Sequence, residues 1–404
     1  MGKEPLIKCD MIVGIPSYNE ADTIGFVVKT VDEGLRKHFP SKKAIIINVD
    51  NASPDNTKDV FLEVETSTEK KYISTPEGIL GKGNNFLNLF KFASTTTAKT
   101  FIVVDADLKS ITPDWMDYLG TPIIKGEDYV TPLYTRHQFD GSITNHICYP
   151  AIFGLLSTNI RQPIGGDFAF SRKLMDYWRA QPMNDTVKHY GIDIFMTMHA
   201  ILGGFNICQS GLGVKVHKAS APKLGPMFEQ VIQTLLTVLS ENKDNWLKTI
   251  TQPVREIPKF GLTAIEEPQE LIFNMHAMKE SCKRAYAESR EITEELLPAY
   301  SFAVIDDMFK MDFYGMDMLL WSQIFYNLLY KFDQAKDDAT RMKVIKVLTP
   351  LYFARTLSFN YNTWKYNIKY AEEEVQRQAL GFASQRHYLL GLYGEELICG
   401  CDSE

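Results

Sequence analysis

Nothing in the chain approaches the roughly 20 consecutive apolar residues that carry a helix across a bilayer. Its opening, MGKEPLIKCD, has no apolar stretch of the kind that forms a signal-peptide core. The expectation is a cytoplasmic protein with no membrane partner. Basic residues are outnumbered, 43 Lys and Arg against 50 Asp and Glu, and they form no stripe. The net charge of −7 therefore argues against nucleic acid or an anionic membrane surface as the main partner. Local charge can still oppose net charge, so an anionic small molecule stays open. The six cysteines are scattered, with no CxxC pair and no disulfide-like framework. Cys399 and Cys401 read as part of a frayed tail rather than as a metal site. No internal repeat or low-complexity tract is visible.

With 404 residues the chain exceeds one ordinary core, and two domains are expected. The first half alternates strand and helix signals. MIVGIPSY reads as a buried strand breaking at Pro16, followed by a helix with Ile24, Val27, Val28, Val31 and Leu35 on one face. AIIINVDNAS, a short helix, a glycine-opened helix (GKGNNFLNLFKFAS) and the strand TFIVVDAD follow. Such alternation predicts an α/β fold with a mostly parallel sheet. From about Leu224 the i, i+3, i+4 apolar spacing turns helical to the end. The expected division is an α/β domain over residues 1–222 and a mainly helical C-terminal domain over 223–404. The Met- and aromatic-rich helices of the latter are a candidate homodimer interface.

Each apolar strand gives way to polar residues at its C-terminal end: Tyr18-Asn19-Glu20, Asp50-Asn51 and Asp105-Ala106-Asp107. In open parallel sheets ligands bind beyond those ends, so the clusters predict one crevice. Asp105 and Asp107, two apart on an extended chain, would point the same way and could hold Mg²⁺ or Mn²⁺ with substrate phosphates; otherwise they are a solvated strand end. Asp50 in VDNASPDNT is a candidate for a base or ribose, or a turn residue. Lys82 between Gly81 and Gly83 heads a helix, a placement that favours phosphate, although GKG is not a Walker A loop. Gly165-Gly166-Asp167 either admits a sugar ring or makes a tight turn between strands. Asp193, set among Ile192 and Ile194, must be paired, protonated or facing a cavity. His217 follows an alternating Val214-x-Val216 strand and is a ligand or a structural histidine.

In this order and spacing the clusters resemble the nucleotide-sugar glycosyltransferases of the A-type fold, family 2-like. VGIPSYNEADTI resembles their opening strand–loop–helix, NVDNASPDNT their DDGSTDNT segment, GKGN their lysine loop and VDADL their DxD. QPIGGDFAFSR, YGIDIFM and VHKAS narrow the likeness to the retaining synthases of mannosylglycerate, glucosylglycerate or glucosyl-3-phosphoglycerate. RTLSFNYNTW looks like the C-terminal domain of mannosylglycerate synthase.

The resemblance implies a nucleotide diphosphate sugar (GDP-, UDP- or ADP-hexose) as donor and a glycerate-like acceptor. Pro16, Tyr18, Glu20 and Asp50 would contact base and ribose. Lys82, Asp105, Ala106, Gly165, Gly166 and Asp167 would line the rest of the donor. Asp107 and His217 would ligate the divalent cation, Mg²⁺ or Mn²⁺. Asp193, Asp167 and Lys82 would serve the reaction, and Arg136, Gly141, Ser142, Thr144 and Asp193 the acceptor. Two departures stand out. Ser142 occupies the place of an arginine in the acceptor loop of the glucosyl-3-phosphoglycerate enzymes, which lowers the expectation of a phosphorylated acceptor. Asp167 replaces a glutamate, one methylene shorter toward the hexose. Rivals are the phosphorylated-acceptor synthase itself, membrane-bound family 2 polymerases, a sugar-nucleotide pyrophosphorylase and a non-catalytic binding protein. The polymerases' Gln-x-x-Arg-Trp and the pyrophosphorylases' Gly-rich loop ending in Arg are both missing.

Overall fold

The computed structural model describes residues 5–218, 224–248, 253–263, 266–268, 270–271 and 273–395. The Cys399 and Cys401 pair lies outside the described residues, and the four described cysteines are buried free thiols. The chain clusters into two compact units. One comprises Met1–Thr135, Gln162–Val231 and Ile257–Gln269; the other comprises Arg136–Arg161, Ile232–Glu256 and Glu270–Glu404.

In the first unit the chain alternates β1 (Met11–Ser17), α1 (Ile24–His38), β2 (Ala44–Asp50), α2 (Thr57–Glu63), β3 (Glu69–Ser74), α3 (Lys82–Ala93), β4 (Thr100–Val103), α4 (Trp115–Ile124) and β5 (Tyr129–Thr135). The next stretch contributes α5 (Tyr149–Leu156) and the two-residue β6 (Thr158–Asn159) to the second unit. The first unit resumes with β7 (Phe168–Ser171), α6 (Arg172–Arg179), α7 (Ile192–Leu202) and β8 (Ile207–Val214). Helices α8 (Leu224–Glu241) and α9 (Lys243–Trp246) follow, then β9 (Arg255–Glu256), which pairs with β6, and β10 (Lys259–Gly261).

Eight strands form one sheet in the order β10-β8-β5-β7-β4-β1-β2-β3. All neighbours are parallel except β7, which runs antiparallel to both β4 and β5. The fold is thus the expected α/β class with a mostly parallel sheet. Parallel strands need crossover helices, and these cover the sheet's apolar strands. Met11, Val13 and Ile15 of β1 share one buried cluster with Ile24, Val27, Val28, Val31 and Leu35 of α1 and Trp115, Met116 and Leu119 of α4. The three-and-four spacing on α1 turns all five side chains to the sheet, each contributing about 1.5–3 kcal/mol of gross burial energy.

The direction of β7 matters for function. The C-terminal ends of β1, β2, β4, β5 and β8 lie at one edge of the sheet, and the reversed β7 presents its N-terminal end there. Residues just before β7 therefore meet residues just after β4 and β8.

The second unit is helical, as expected for the C-terminal half. After α9 it contains α10 (Met275–Leu296), α11 (Ala299–Lys310), α12 (Met318–Gln334), α13 (Asp338–Thr363), α14 (Ile368–Ser384) and α15 (Arg386–Leu392). No helix among the described residues is long and apolar enough to cross a membrane.

Candidate active site

The centre of the edge is a charge cluster drawn from five parts of the first unit. Lys82 opens α3; its Nζ lies 3.1 Å from Asp105 Oδ1 and 3.3 Å from Asp193 Oδ2. Lys215, one residue beyond β8, places its Nζ 3.0 Å from Asp105 Oδ2, 2.8 Å from Asp167 Oδ2 and 2.7 Å from the Gly165 carbonyl. The Asp105 carboxylate is thus clamped between two ammonium groups. Burial works against its charge, but Lys82 and Lys215 outweigh that and hold Asp105 well below the usual carboxylate range. Burial likewise opposes the Lys82 ammonium, while Asp105 and Asp193 outweigh it and raise it above an ordinary lysine. For Asp193 burial wins: it pushes the carboxyl up, with Lys82 pulling the other way. Asp193 sits in the first turn of α7, and its Oδ1 is buried with no hydrogen-bond partner among the described residues.

Asp107 separates from Asp105. Two residues on an extended strand would face the same way, but β4 ends at Val103 and the chain turns at Ala106-Asp107. That turn sends Asp105 inward to the lysines and Asp107 toward His217, whose Nδ1 is 3.9 Å from Asp107 Oδ2. Two backbone links hold the histidine there: Lys109 N–H donates to the Val216 carbonyl at 2.8 Å, and Val216 N–H donates to Ser110 Oγ at 2.9 Å. Burial raises the Asp107 carboxyl, and repulsion from Asp105 adds to it.

The glycines flanking Lys82 serve a purpose other than the expected phosphate approach. The N–H groups of Gly83 and Asn84 donate to the carbonyls of His189 and Lys188 at 3.0 and 2.9 Å, so protein carbonyls already cap this part of the helix N-terminus. A Cβ at Gly83 would stand 1.9 Å from the Val187 carbonyl oxygen. Gly83→Ala should therefore lower the unfolding temperature, at a cost of roughly 1–3 kcal/mol. An unchanged melting curve would show that the 187–189 backbone gives way freely.

Gly165-Gly166 is also read differently by the structure. It belongs to a loop ahead of β7 rather than to a turn between two strands, and a Cβ on Gly166 (φ 89°) would lie 2.0 Å from Asp105 Oδ2. The missing side chain makes room for a carboxylate of the protein itself. Asp167 is wholly buried: Oδ1 accepts the Asp105 N–H at 2.8 Å, and Oδ2 accepts Tyr134 Oη–H and Lys215.

Asp50 is equally enclosed. It accepts Ser17 Oγ at 2.6 Å, the N–H and Oγ of Ser53 at 2.7 Å each, and Tyr72 Oη at 2.9 Å. Four donors fill the four lone-pair positions of a carboxylate, so Asp50 ties the ends of β1, β2 and β3 together. Burial and that bond to Asp50 push the Tyr72 phenol up to about 12. Pro16 lies within β1, Tyr18 is exposed just after it, and Glu20 is buried but 2.7 Å from Lys218 Nζ. Burial raises the Glu20 carboxyl against the opposing pull of Lys218.

Arg136, Gly141, Ser142 and Thr144 belong to the second unit. There Arg136 pairs with Asp140 at 3.0 Å, and Ser142 Oγ is 2.5 Å from Tyr352 Oη on α13. Thr144 starts a short π-helical turn, Thr144–Cys148, leading into α5.

Sequence reading missed Lys215, Tyr134 and Lys218. The one local signal for Lys215 was a charged residue set between Val214 and Val216 beside a candidate ligand.

No three His, Cys, Asp or Glu side chains among the described residues converge to hold a metal on their own. Asp107 and His217 nevertheless fit a shared site. A carboxylate oxygen and an imidazole nitrogen face each other 3.9 Å apart, both part-exposed, and are two donors of the kind such a cation takes. Mg²⁺ is commonly bound by one or two protein groups while substrate phosphates fill other positions.

Residues 12–178 match the family model described as glycosyl transferase family 2. Among solved structures, glucosyl-3-phosphoglycerate synthase from Mycobacterium tuberculosis, in complex with Mg²⁺ and uridine diphosphate, is similar over 57% of this chain and 79% of that chain, with 24% identity and a TM-score of 0.47. The same enzyme with Mn²⁺, UDP-glucose and glycerol 3-phosphate is similar over 57% and 80%, with 23% identity and a TM-score of 0.45. A structure described as a mycobacterial protein is similar over 57% and 74%, with 25% identity and a TM-score of 0.46. No curated protein matches the chain.

Proposed function

We propose that the chain is a nucleotide-sugar-dependent glycosyltransferase, a reading supported by the match of residues 12–178 to the glycosyl transferase family 2 model, and we assign it a specific reaction. It moves a hexose, mannose or glucose, from a nucleotide diphosphate sugar to a small hydroxy acid such as D-glycerate, with retention of the anomeric configuration. The observation that carries this reading is the Asp107–His217 pair at the C-terminal edge of the sheet, beside a carboxylate clamped by two lysines.

Asp107 and His217 would hold a divalent cation, which when bound supplies Lewis-acid stabilisation of the charge developing on the leaving diphosphate. The chain's own residues do the rest. An ammonium has three N–H donors; Lys82 spends two on Asp105 and Asp193 and keeps one for a donor oxygen. Pro16 near the end of β1 and Tyr18 and Glu20 just beyond it would meet base and ribose, and a ribose hydroxyl on Glu20 would share it with Lys218. Asp193, whose Oδ2 pairs with Lys82, would lie beside the acceptor, as the sequence resemblance implies. Arg136, Gly141, Ser142 and Thr144 retain the acceptor role that the sequence resemblance implies.

The test is a donor-by-acceptor matrix of GDP-, UDP- and ADP-hexoses against D-glycerate, 3-phosphoglycerate and simple sugars, with the product's anomeric configuration read by NMR. Because Ser142 lacks the charge of an arginine, D-glycerate should be preferred over 3-phosphoglycerate by roughly tenfold or more. Preference for the phosphorylated acceptor would move the assignment to glucosyl-3-phosphoglycerate synthesis. Formation of a sugar nucleotide from sugar 1-phosphate and a nucleoside triphosphate, with no transfer, would replace the reading by a pyrophosphorylase.

A further inference from the structure

The sequence resemblance gives Asp167 a place on the hexose and gives Lys215 no place at all. The geometry points to a different division of labour, which rests on the glycosyltransferase reading. We propose that Lys215 and Asp167 are a buried positioning pair whose task is to hold Asp105 at the donor, and that neither touches the substrate.

The Asp167 side chain is 0% exposed and that of Lys215 is 3% exposed, whereas Asp105 is 23% exposed. Of the three, Asp105 alone shows an appreciable surface to a ligand. Lys215 gives its three N–H groups to Asp105 Oδ2, Asp167 Oδ2 and the Gly165 carbonyl, so none is left for a diphosphate. Its ammonium also lies 4.9 Å from the centre of the Tyr134 ring, and Tyr134 Oη–H donates to the same Asp167 oxygen that Lys215 holds. The second Asp167 oxygen accepts the backbone N–H of Asp105. Lys215 thus fixes the Asp105 side chain and Asp167 fixes its main chain.

The backbone is built for the same end. Gly166 lies in the left-handed region, and a methyl there would collide with Asp105 Oδ2. Gln162 brackets the adjoining strand residue, accepting the Tyr134 N–H at 3.2 Å and donating to the Tyr134 carbonyl at 2.8 Å. Ends of β4, β5 and β8 and the start of β7 therefore converge on one carboxylate. A carboxylate held so firmly can support a donor group without reorganising during the reaction.

The shorter Asp at position 167 follows from this role. A side chain that must reach Lys215, Tyr134 and the Asp105 amide within the sheet edge has no need to extend into the crevice.

A lysine buried against two carboxylates also stabilises the fold, so the experiment must separate positioning from stability. Lys215→Met alone strands two buried carboxylates and should melt well below the wild type. Lys215→Met combined with Asp167→Asn removes both members of the pair and should recover most of the lost melting temperature. In that double variant the donor KM should stay within about threefold of wild type, while kcat should fall about 100-fold, the scale of an ångström-sized misplacement. A crystal structure of the double variant should show Asp105 Oδ1 no longer at 3.1 Å from Lys82 Nζ.

A double variant with wild-type kcat, or with Asp105 unmoved, would reduce Lys215 to a structural counter-ion and overturn the proposal. So would a Lys215→Met single variant with unchanged turnover. If the wild-type protein transfers no hexose in the donor matrix, that failure belongs to the functional reading. The position of Asp105 in the variant crystal then judges the pair by itself.

Discussion

Asp107→Asn is expected to abolish hexose transfer and yet to unfold at a higher temperature than the wild type. In the metal-free protein the Asp107 carboxyl is raised by burial and by repulsion from Asp105 and Asp167, with Lys215 and His217 opposing. A carboxyl raised in the folded state binds its proton more tightly there than in the unfolded chain. Its ionised form therefore destabilises the fold above the folded-state pKa, and that penalty disappears as pH falls through it. Asparagine keeps the shape and removes the charge. The melting temperature should rise at neutral pH, and the gain should shrink toward zero as the buffer is taken below the carboxylate range. In the proposed reaction, where Asp107 would hold the cation that stabilises the leaving diphosphate, transfer should drop by a factor on the order of 10²–10³ or more. Thermal melts of both proteins across that pH range, with a coupled assay, check both halves. A variant that melts lower at neutral pH would show that Asp107 is held by favourable partners, and a fully active one would remove it from the site.

What the sequence revealed and what it hid follow from the range of the interactions involved. Strands β1, β2 and β4 and helices α1 and α3 were legible because each is written in a local apolar period. The gathering of polar strand ends was legible because parallel strands put those ends at one edge. The reversed direction of β7 was not: four residues of FAFS carry no sign of their polarity in the sheet. Yet that reversal brings Asp167 to the site. Lys215 escaped for a similar reason. Its carboxylate partners lie 110 and 48 residues away, and alone it reads as a strand-end lysine. The glycine pairs were correctly singled out as places of close approach, but the approaching group is the protein's own: the Val187–His189 backbone at Gly81 and Gly83, and the Asp105 carboxylate at Gly166. Nor does any local pattern encode that residues 136–161 cluster with the helices of the second unit.

The second large effect concerns ligand-linked stability. GDP, UDP or ADP, whichever the site accepts, should raise the melting temperature strongly with Mn²⁺ or Mg²⁺ and only weakly in the presence of a chelator. Saturation at about 100 times Kd stabilises a protein by about 2.7 kcal/mol, a shift of several degrees that a dye-based melt resolves easily. The reason is the incompleteness of the Asp107–His217 pair: two protein groups leave most of a cation's coordination to water and phosphate oxygens, so metal and diphosphate should bind as a unit. His217→Ala removes one of the two and should suppress the metal-dependent part of the shift. It should leave the nucleotide-free melt near wild type, because His217 lies beyond the end of β8 and is part-exposed. Equal shifts with metal and with chelator would dismiss the bridge. An unaltered metal response in His217→Ala would make the histidine a structural residue and leave Asp107 to bind the cation with the donor. Comparing that variant with Asp107→Asn separates the two ligands: loss of the carboxylate should erase the metal response and raise the metal-free melt, whereas loss of the imidazole should weaken the response with little change in the metal-free melt.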